Sequence, residues 1–74
     1  MPQNMSFHLG HRVYVDLTGL VVEPEGRPRV ALSGSHLGVV TDLTNNGTYR
    51  VLLVTPVQGI TDIHVVEERL RSLV

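Results

Sequence analysis

The chain has 74 residues, a net charge of −1 and no cysteine. This length accommodates one small domain, and the missing cysteines exclude disulfides and thiolate metal sites as sources of its stability. The near-neutral charge provides no basic surface for non-specific nucleic-acid binding, and without a run of about eighteen apolar residues the chain has no predicted membrane span.

The first predicted strand follows a polar N-terminal segment. We expect residues 1–8 to be a flexible N-terminus and residues 9–74 to form one domain. At the start of this domain Val13, Val15 and Leu17 alternate with more polar residues. A period of two is typical of a half-buried β-strand.

Residues 20–32 contain two apolar arms on either side of Pro24-Glu25-Gly26-Arg27-Pro28. This pattern fits a projecting hairpin, in which the two prolines would limit ladder pairing near the tip. It fits an irregular loop equally well.

The clearest hairpin comprises residues 37–44 and 48–54, joined at Asn45-Asn46-Gly47. Asn and Gly tolerate the positive φ angles that tight turns require. The side chains that we expect to face the core are Val39, Thr41, Leu43, Tyr49, Val51 and Leu53. Leu52 and Val54 then face outward, so we expect another surface to cover that side of the strand.

Two further elements follow. Residues 60–66 are a predicted strand, rich in β-branched residues. Leu70, Leu73 and Val74 have the i, i+3, i+4 spacing of a helix face. For residues 67–74 the sequence therefore predicts a short helical turn followed by one or two strand residues.

These elements together resemble a small SH3-like barrel. The segments that carry the resemblance are Leu9-Gly10-His11-Arg12-Val13, Leu37-Gly38-Val39-Val40, Gly47-Thr48-Tyr49-Arg50-Val51 and Ile63-His64-Val65-Val66, with a closing Leu70. Families of this fold include the photosystem I accessory subunit, Tudor- and KOW-type modules, and the plasmid-encoded type II dihydrofolate reductases. The resemblance implies an all-β fold, a single SH3-like barrel of about five strands.

The type II reductases are the most detailed comparison. Gly10-His11-Arg12-Val13 is similar to their Gly-Asp-Arg-Val, and residues 59–66 are similar to their Gly-Ser-Val-Gln-Ile-Tyr-Pro-Val. In that family the second segment lines a pore, shared by four subunits, where substrate and NADPH stack. Ile63 matches the family's Ile, but Asp62 replaces its Gln, His64 replaces its Tyr, and the chain has no lysine for the pore. The resemblance is therefore distant and lacks the reductase's active-site residues.

The histidines are the candidates for metal ligands, since zinc takes nitrogen or sulfur donors from several side chains. They are His8, His11, His36 and His64. No two of them form an HxH or HxxxH pair, and no cysteine accompanies them. We predict no metal site and no cofactor.

Asp62 and His64 lie two residues apart, on the same face of a predicted strand. A carboxylate beside an imidazole is an arrangement used in acid–base chemistry. Ile60 and Val66 share this predicted face, and the mixture of polar and apolar residues favours an oligomer or partner interface over catalysis. We assign no catalytic residue.

The residues favour a non-enzymatic protein, a binding or accessory module that self-associates. The candidate ligand or interface residues are Ile60, Asp62, Ile63, His64, Leu52 and Val54. One alternative is a small-ligand or nucleotide-cofactor binder of the type II reductase kind, and a second is a Tudor- or KOW-like nucleic-acid module. We expect a homo-oligomer, with room for a protein or small-molecule partner, and no nucleic acid or membrane. The N-terminal residues lack the pattern of a signal peptide, so we expect a cytoplasmic protein.

Overall fold

The structure, a computed structural model, describes residues 7–44 and 46–73. The elements in these ranges are β1 Arg12–Asp16, β2 Val21–Val22, β3 Val30–Ala31, β4 Ser35–Leu43, β5 Thr48–Val57, β6 Ile60–Val66, a 3₁₀ turn Glu67–Arg69 and β7 Leu70–Ser72. The main sheet has the strand order β6-β5-β4-β1-β7, and its neighbouring strands are antiparallel. β2 and β3 form a separate two-stranded ribbon.

The predicted all-β class, with about five main strands and a short helical turn near the C-terminus, is confirmed in the described residues. Within the described ranges, β6 and β7 lie at opposite edges of the sheet and no ladder joins them. Backbone hydrogen bonds therefore do not close this sheet into a barrel. The 3₁₀ turn has three residues, far fewer than a membrane-spanning helix needs, and no helix in the described residues is a candidate span.

Residues 20–32 form a hairpin between β1 and β4. Val21 pairs with Ala31 and Val22 pairs with Val30, which gives arms of two residues each. The two prolines at the tip explain why the ladder is so short, since proline has no N–H to donate.

The core lies on the inner side of the main sheet and is mainly aliphatic. Its buried residues are Phe7, Val13, Val15, Leu17, Leu32, Val40, Tyr49, Val51, Leu53, Val65 and Leu70. The period-two prediction for β1 is confirmed, because Val13, Val15 and Leu17 are all buried. Of the predicted flexible N-terminus, residues 1–6 lie outside the described residues, whereas Phe7 packs edge-on against Tyr49 with ring centroids 5.6 Å apart.

The inward face predicted for β5 is confirmed, since Tyr49, Val51 and Leu53 are buried. The inward face predicted for β4 is wrong for Val39 and Thr41: Val39 is half-buried and Thr41 is exposed, while Gly38 and Val40 are the buried residues of this strand. Leu43 is paired with the buried Tyr49, as its predicted face requires, but remains exposed. A β-bulge between Val40 and Asp42 shifts the register against β5, and a shift of one residue exchanges the two faces of a strand.

The short helical turn followed by strand residues that the sequence predicts at residues 67–74 is confirmed, but the helix face predicted for Leu70 and Leu73 is wrong. The 3₁₀ turn ends at Arg69, and Leu70 is buried at the start of β7, opposite Val15 of β1. Leu73 is exposed, and Val74 lies outside the described residues. Pairing with β1 therefore replaces the continued helix.

Candidate functional site

The outer face of the main sheet, opposite the core, carries most of the candidate residues. On β5, Leu52 and Val54 alternate with buried residues and are 47% and 59% exposed, as the sequence predicted. Leu52 is paired with Val39 of β4 on one side and with Asp62 of β6 on the other. Residues paired across antiparallel strands lie on the same face and contact each other.

A second row of apolar residues lies beside Leu52 and Val39. Tyr14 of β1, 38% exposed, is paired with Leu37 of β4. Leu37 and Val54 line one shallow cleft, together with Ser35, His36 and Thr55. We call the continuous surface of Tyr14, Leu37, Val39, Leu52 and Val54 the outer apolar patch. Single exposed apolar residues are ordinary on protein surfaces, but a contiguous group of them marks an interaction site.

An ion pair borders the outer apolar patch on the β6 side. The Arg50 guanidinium donates from Nε to Asp62 Oδ2 at 2.7 Å. This hydrogen bond holds the pKa of the Asp62 carboxyl below its ordinary value. Asp62 is therefore ionised at neutral pH and bonded to Arg50, which does not suit a general acid or base.

His64 completes this border. It is exposed and lies directly across from Arg50 in the β5–β6 ladder. The structure thus brings Asp62 and His64 to the same face as Leu52 and Val54.

The remaining two candidate residues lie elsewhere. Ile63 is paired with the buried Val51, and both Ile63 and Ile60 pack against the core. A second irregularity in the β5–β6 ladder, between Leu52 and Val57, accompanies the inward position of Ile60. Ile60 therefore does not join Asp62 and His64 as the strict alternation of a regular strand implied.

Sequence reasoning did not include Tyr14, Leu37 and Val39 among the candidates. Tyr14 had an available signal, because the period of two in β1 places it outward. Leu37 and Val39 belong to an apolar run that suits either face of the strand. The alternation predicted for β4 also placed Val39 on the inner face. The cross-strand neighbours of Leu52 could therefore not be identified without the register.

A second cluster of charged residues lies where β1, β4 and β7 meet the 3₁₀ turn. Its cleft is lined by Tyr14, Asp16, Ser35, Glu68, Arg69 and Arg71. Arg69 donates from Nη1 to the carbonyl oxygens of Asp16 and Thr18, at 3.0 and 2.9 Å. The Thr18 N–H donates to Asp16 Oδ1 at 3.0 Å, and this bond lowers the pKa of the Asp16 carboxyl. These bonds tie the loop after β1 to the 3₁₀ turn, which is a structural role.

The N-terminal histidines stack rather than converge on a common point. The His8 and His11 rings lie 4.8 Å apart, edge to face. His11 Nε2 makes a hydrogen bond of 2.9 Å with Ser72 Oγ of β7, and its Nδ1 is buried without a partner. No three His, Asp or Glu side chains of residues 7–44 and 46–73 are placed to share a metal ion.

Comparisons with family models, with curated proteins and with solved structures give no significant match to this chain. The surface chemistry of the fold is therefore what supports a functional proposal.

Proposed function

We propose that this protein is a non-enzymatic binding module whose copies associate through the outer apolar patch. The observation that carries the proposal is the contiguity of this patch. Leu52 and Val39 are directly paired, Tyr14 and Leu37 are directly paired, and Val54 shares a cleft with Leu37.

The energetics support association rather than permanent exposure. Fully burying a Leu or Val side chain contributes roughly 1.5–3 kcal/mol, so covering the half-exposed Leu52 and Val54 contributes about 1 kcal/mol for each residue. A two-fold interface counts every contribution twice, because the same patch is present on both copies. This gain opposes the entropic cost of association.

The border of the patch supports a binding role over a catalytic one. Asp62 forms an ion pair with Arg50. This pair can remain in contact with water at the rim of an interface, because interface rims are usually polar and solvent-accessible. Ile63, the residue shared with the type II reductases, packs against the core. This inward position does not favour the role of Ile63 in lining a cofactor pore.

The hairpin provides little support for the nucleic-acid alternative. Arg29 Nε lies 3.3 Å from Glu23 Oε2, in a highly exposed pair. The nearby acid offsets the positive charge that a phosphate contact would need.

A pair of matched substitutions tests the proposal. Val54 is 59% exposed on the patch, and Val21 is 60% exposed on the hairpin. Both can be replaced by Asp at similar cost to the monomer. We expect the wild-type protein and Val21→Asp to form the same assembly in light scattering at tens of micromolar, and Val54→Asp to form a smaller one. A monomeric wild-type protein would contradict the proposal, and so would equal behaviour of the two variants.

A further inference from the structure

The edge of β6 is a second surface with unsatisfied bonding capacity. In the part of the chain that the structure describes, β6 is paired with β5 on one side and with no strand on the other. Exposed edges are usually shortened, interrupted by proline or a bulge, or protected by charged side chains. β6 has seven residues and no proline, and its one acidic residue, Asp62, is paired with Arg50. The opposite edge, β7, is only three residues long, and its Ser72 is bonded to His11.

The hydrogen-bond pattern determines which backbone groups of β6 face this edge. The backbone N–H and carbonyl of Val40 both form hydrogen bonds with the residues just before β1. The Val40 N–H donates to the His11 carbonyl at 2.9 Å. The Val40 carbonyl accepts from the Gly10 N–H at 2.8 Å. Successive residues of a strand direct their groups to opposite sides. Val39 therefore directs its groups to its β5 partner, Leu52.

The same alternation continues across β5 to β6. Because Leu52 directs its groups to β4, the adjacent Val51 directs its groups to its β6 partner, Ile63. Ile63 then faces β5. Asp62 and His64, on either side of Ile63, direct their N–H and carbonyl groups away from β5. These are the groups that an added strand would bond.

We propose that two copies of the chain join their β6 edges antiparallel about a two-fold axis at Ile63. In this arrangement Asp62 of each copy lies opposite His64 of the other. The inference rests on the proposed self-association and adds a second surface to it. Each copy donates and accepts the same backbone hydrogen bonds, as a two-fold interface requires.

Charge selects this register among those that centre on the middle of β6. An axis at Asp62 would place the two Asp62 carboxylates opposite each other. An axis at His64 would place imidazole opposite imidazole. The axis at Ile63 places a carboxylate opposite an imidazole, which can donate to it, and unlike pairs stabilise a ladder whereas like charges destabilise it.

The side chains of each copy leave room for this contact. Arg50 occupies Oδ2 of Asp62, whereas Oδ1 accepts only a 3.5 Å hydrogen bond from Thr61. Oδ1 is therefore the atom that the imidazole of the second copy's His64 would approach. Arg50 also lies across from His64 within each copy, so the Asp62 carboxylate offsets the charge of Arg50 beside the imidazole.

The pairing has a consequence for the outer apolar patch. Paired residues of an antiparallel ladder point to the same side of the sheet. The two sheets would thus continue into one sheet, with both outer apolar patches on the same side and still accessible. Edge pairing and patch pairing are therefore compatible with each other.

The test exchanges the charges of β6 in the Val54→Asp background, where the patch is disabled. We expect Val54→Asp alone to be a dimer in sedimentation velocity. Adding His64→Asp places the new carboxylate of each copy opposite Asp62 of the other copy. The two-fold axis repeats this repulsive pair, so it occurs twice in each dimer. We therefore expect the association constant of the dimer to fall at least about tenfold. Adding Asp62→His together with His64→Asp restores unlike pairs in the proposed register, and we expect the dimer to return. In this double exchange the carboxylate introduced at position 64 lies across from Arg50. It can therefore pair with Arg50 in place of the lost Asp62 carboxylate.

Each outcome distinguishes the two proposals. A wild-type monomer would overturn both. A Val54→Asp variant that is already monomeric would overturn edge pairing and leave patch pairing standing. A double exchange no stronger than His64→Asp would overturn the Ile63 register. Equal far-ultraviolet circular dichroism of the variants serves as the folding control.

Discussion

Gly38→Ala tests a close approach between β4 and β5, the two strands that carry the centre of the outer apolar patch. A Cβ atom at Gly38 would lie 2.5 Å from Val51 Cγ1 and 3.0 Å from the Leu52 carbonyl oxygen. Val51 is buried, and the Leu52 carbonyl belongs to the β4–β5 ladder. Neither atom can move without disturbing packing or pairing.

The magnitude follows from the cost of overpacking. Adding a methyl group to a filled core site destabilises a protein by about 1–3 kcal/mol. For a domain of this size, each kcal/mol lowers Tm by about 4–8 °C. We expect Gly38→Ala to lower Tm by roughly 5–20 °C in thermal unfolding followed by circular dichroism.

A double-mutant cycle with Val51→Ala identifies the cause. Val51→Ala alone removes the side-chain methyl groups that an added Cβ atom at position 38 would meet. It also leaves a cavity, which by itself lowers the stability of the chain. In the double variant the methyl group added at position 38 has room, so we expect this variant to be more stable than the sum of the two single effects by at least about 1 kcal/mol. Strict additivity, or a Gly38→Ala variant as stable as the wild type, would refute the reasoning.

Two further substitutions test polar contacts of the core and of the patch border. Tyr49 is fully buried and its hydroxyl donates to Glu67 Oε1 at 3.1 Å, so Tyr49→Phe should lower the free energy of unfolding in urea by about 1 kcal/mol; an unchanged midpoint would contradict this. The pKa of Asp62 is lowered in the folded state by Arg50, so its contribution to stability is present at neutral pH and is lost as the pH falls through the folded-state pKa. Asp62→Asn should therefore have the lower Tm at neutral pH, and its difference from the wild-type Tm should shrink as the pH falls below the ordinary carboxyl pKa. A constant difference in Tm across this pH range would show that the Asp62 charge is not responsible.

The sequence was sufficient where one strand has a single regular alternation. Val13, Val15 and Leu17 of β1 follow a period of two, and so do the inward residues of β5. That period determines side-chain direction without any knowledge of neighbouring strands. The outward positions of Leu52 and Val54 followed directly from it.

The face of β4 could not be predicted in the same way. The run Leu37-Gly38-Val39-Val40 is apolar at each side-chain position, so it suits either face. Two local events decide the outcome: the close approach at Gly38, which excludes a side chain, and the bulge between Val40 and Asp42. Both depend on the partner strand, and neither has a signal in the period of β4.

The same limit applies to the candidate site. Asp62 and His64 could be placed on one face from their spacing alone. The neighbours that make this face a contiguous patch, Val39 beside Leu52 and Leu37 beside Tyr14, depend on the register of three strands. Leu70 illustrates the competing effect, because its helical spacing is overridden by pairing with Val15.

The molecular mass of the wild-type protein in solution tests the central claim most directly. Sedimentation equilibrium across a concentration series that extends to tens of micromolar measures it without any substitution. We expect a mass above that of the 8.2 kDa chain, with a concentration-dependent approach to the monomer on dilution. A mass equal to that of one chain over the whole series would contradict the claim that copies associate through the outer apolar patch.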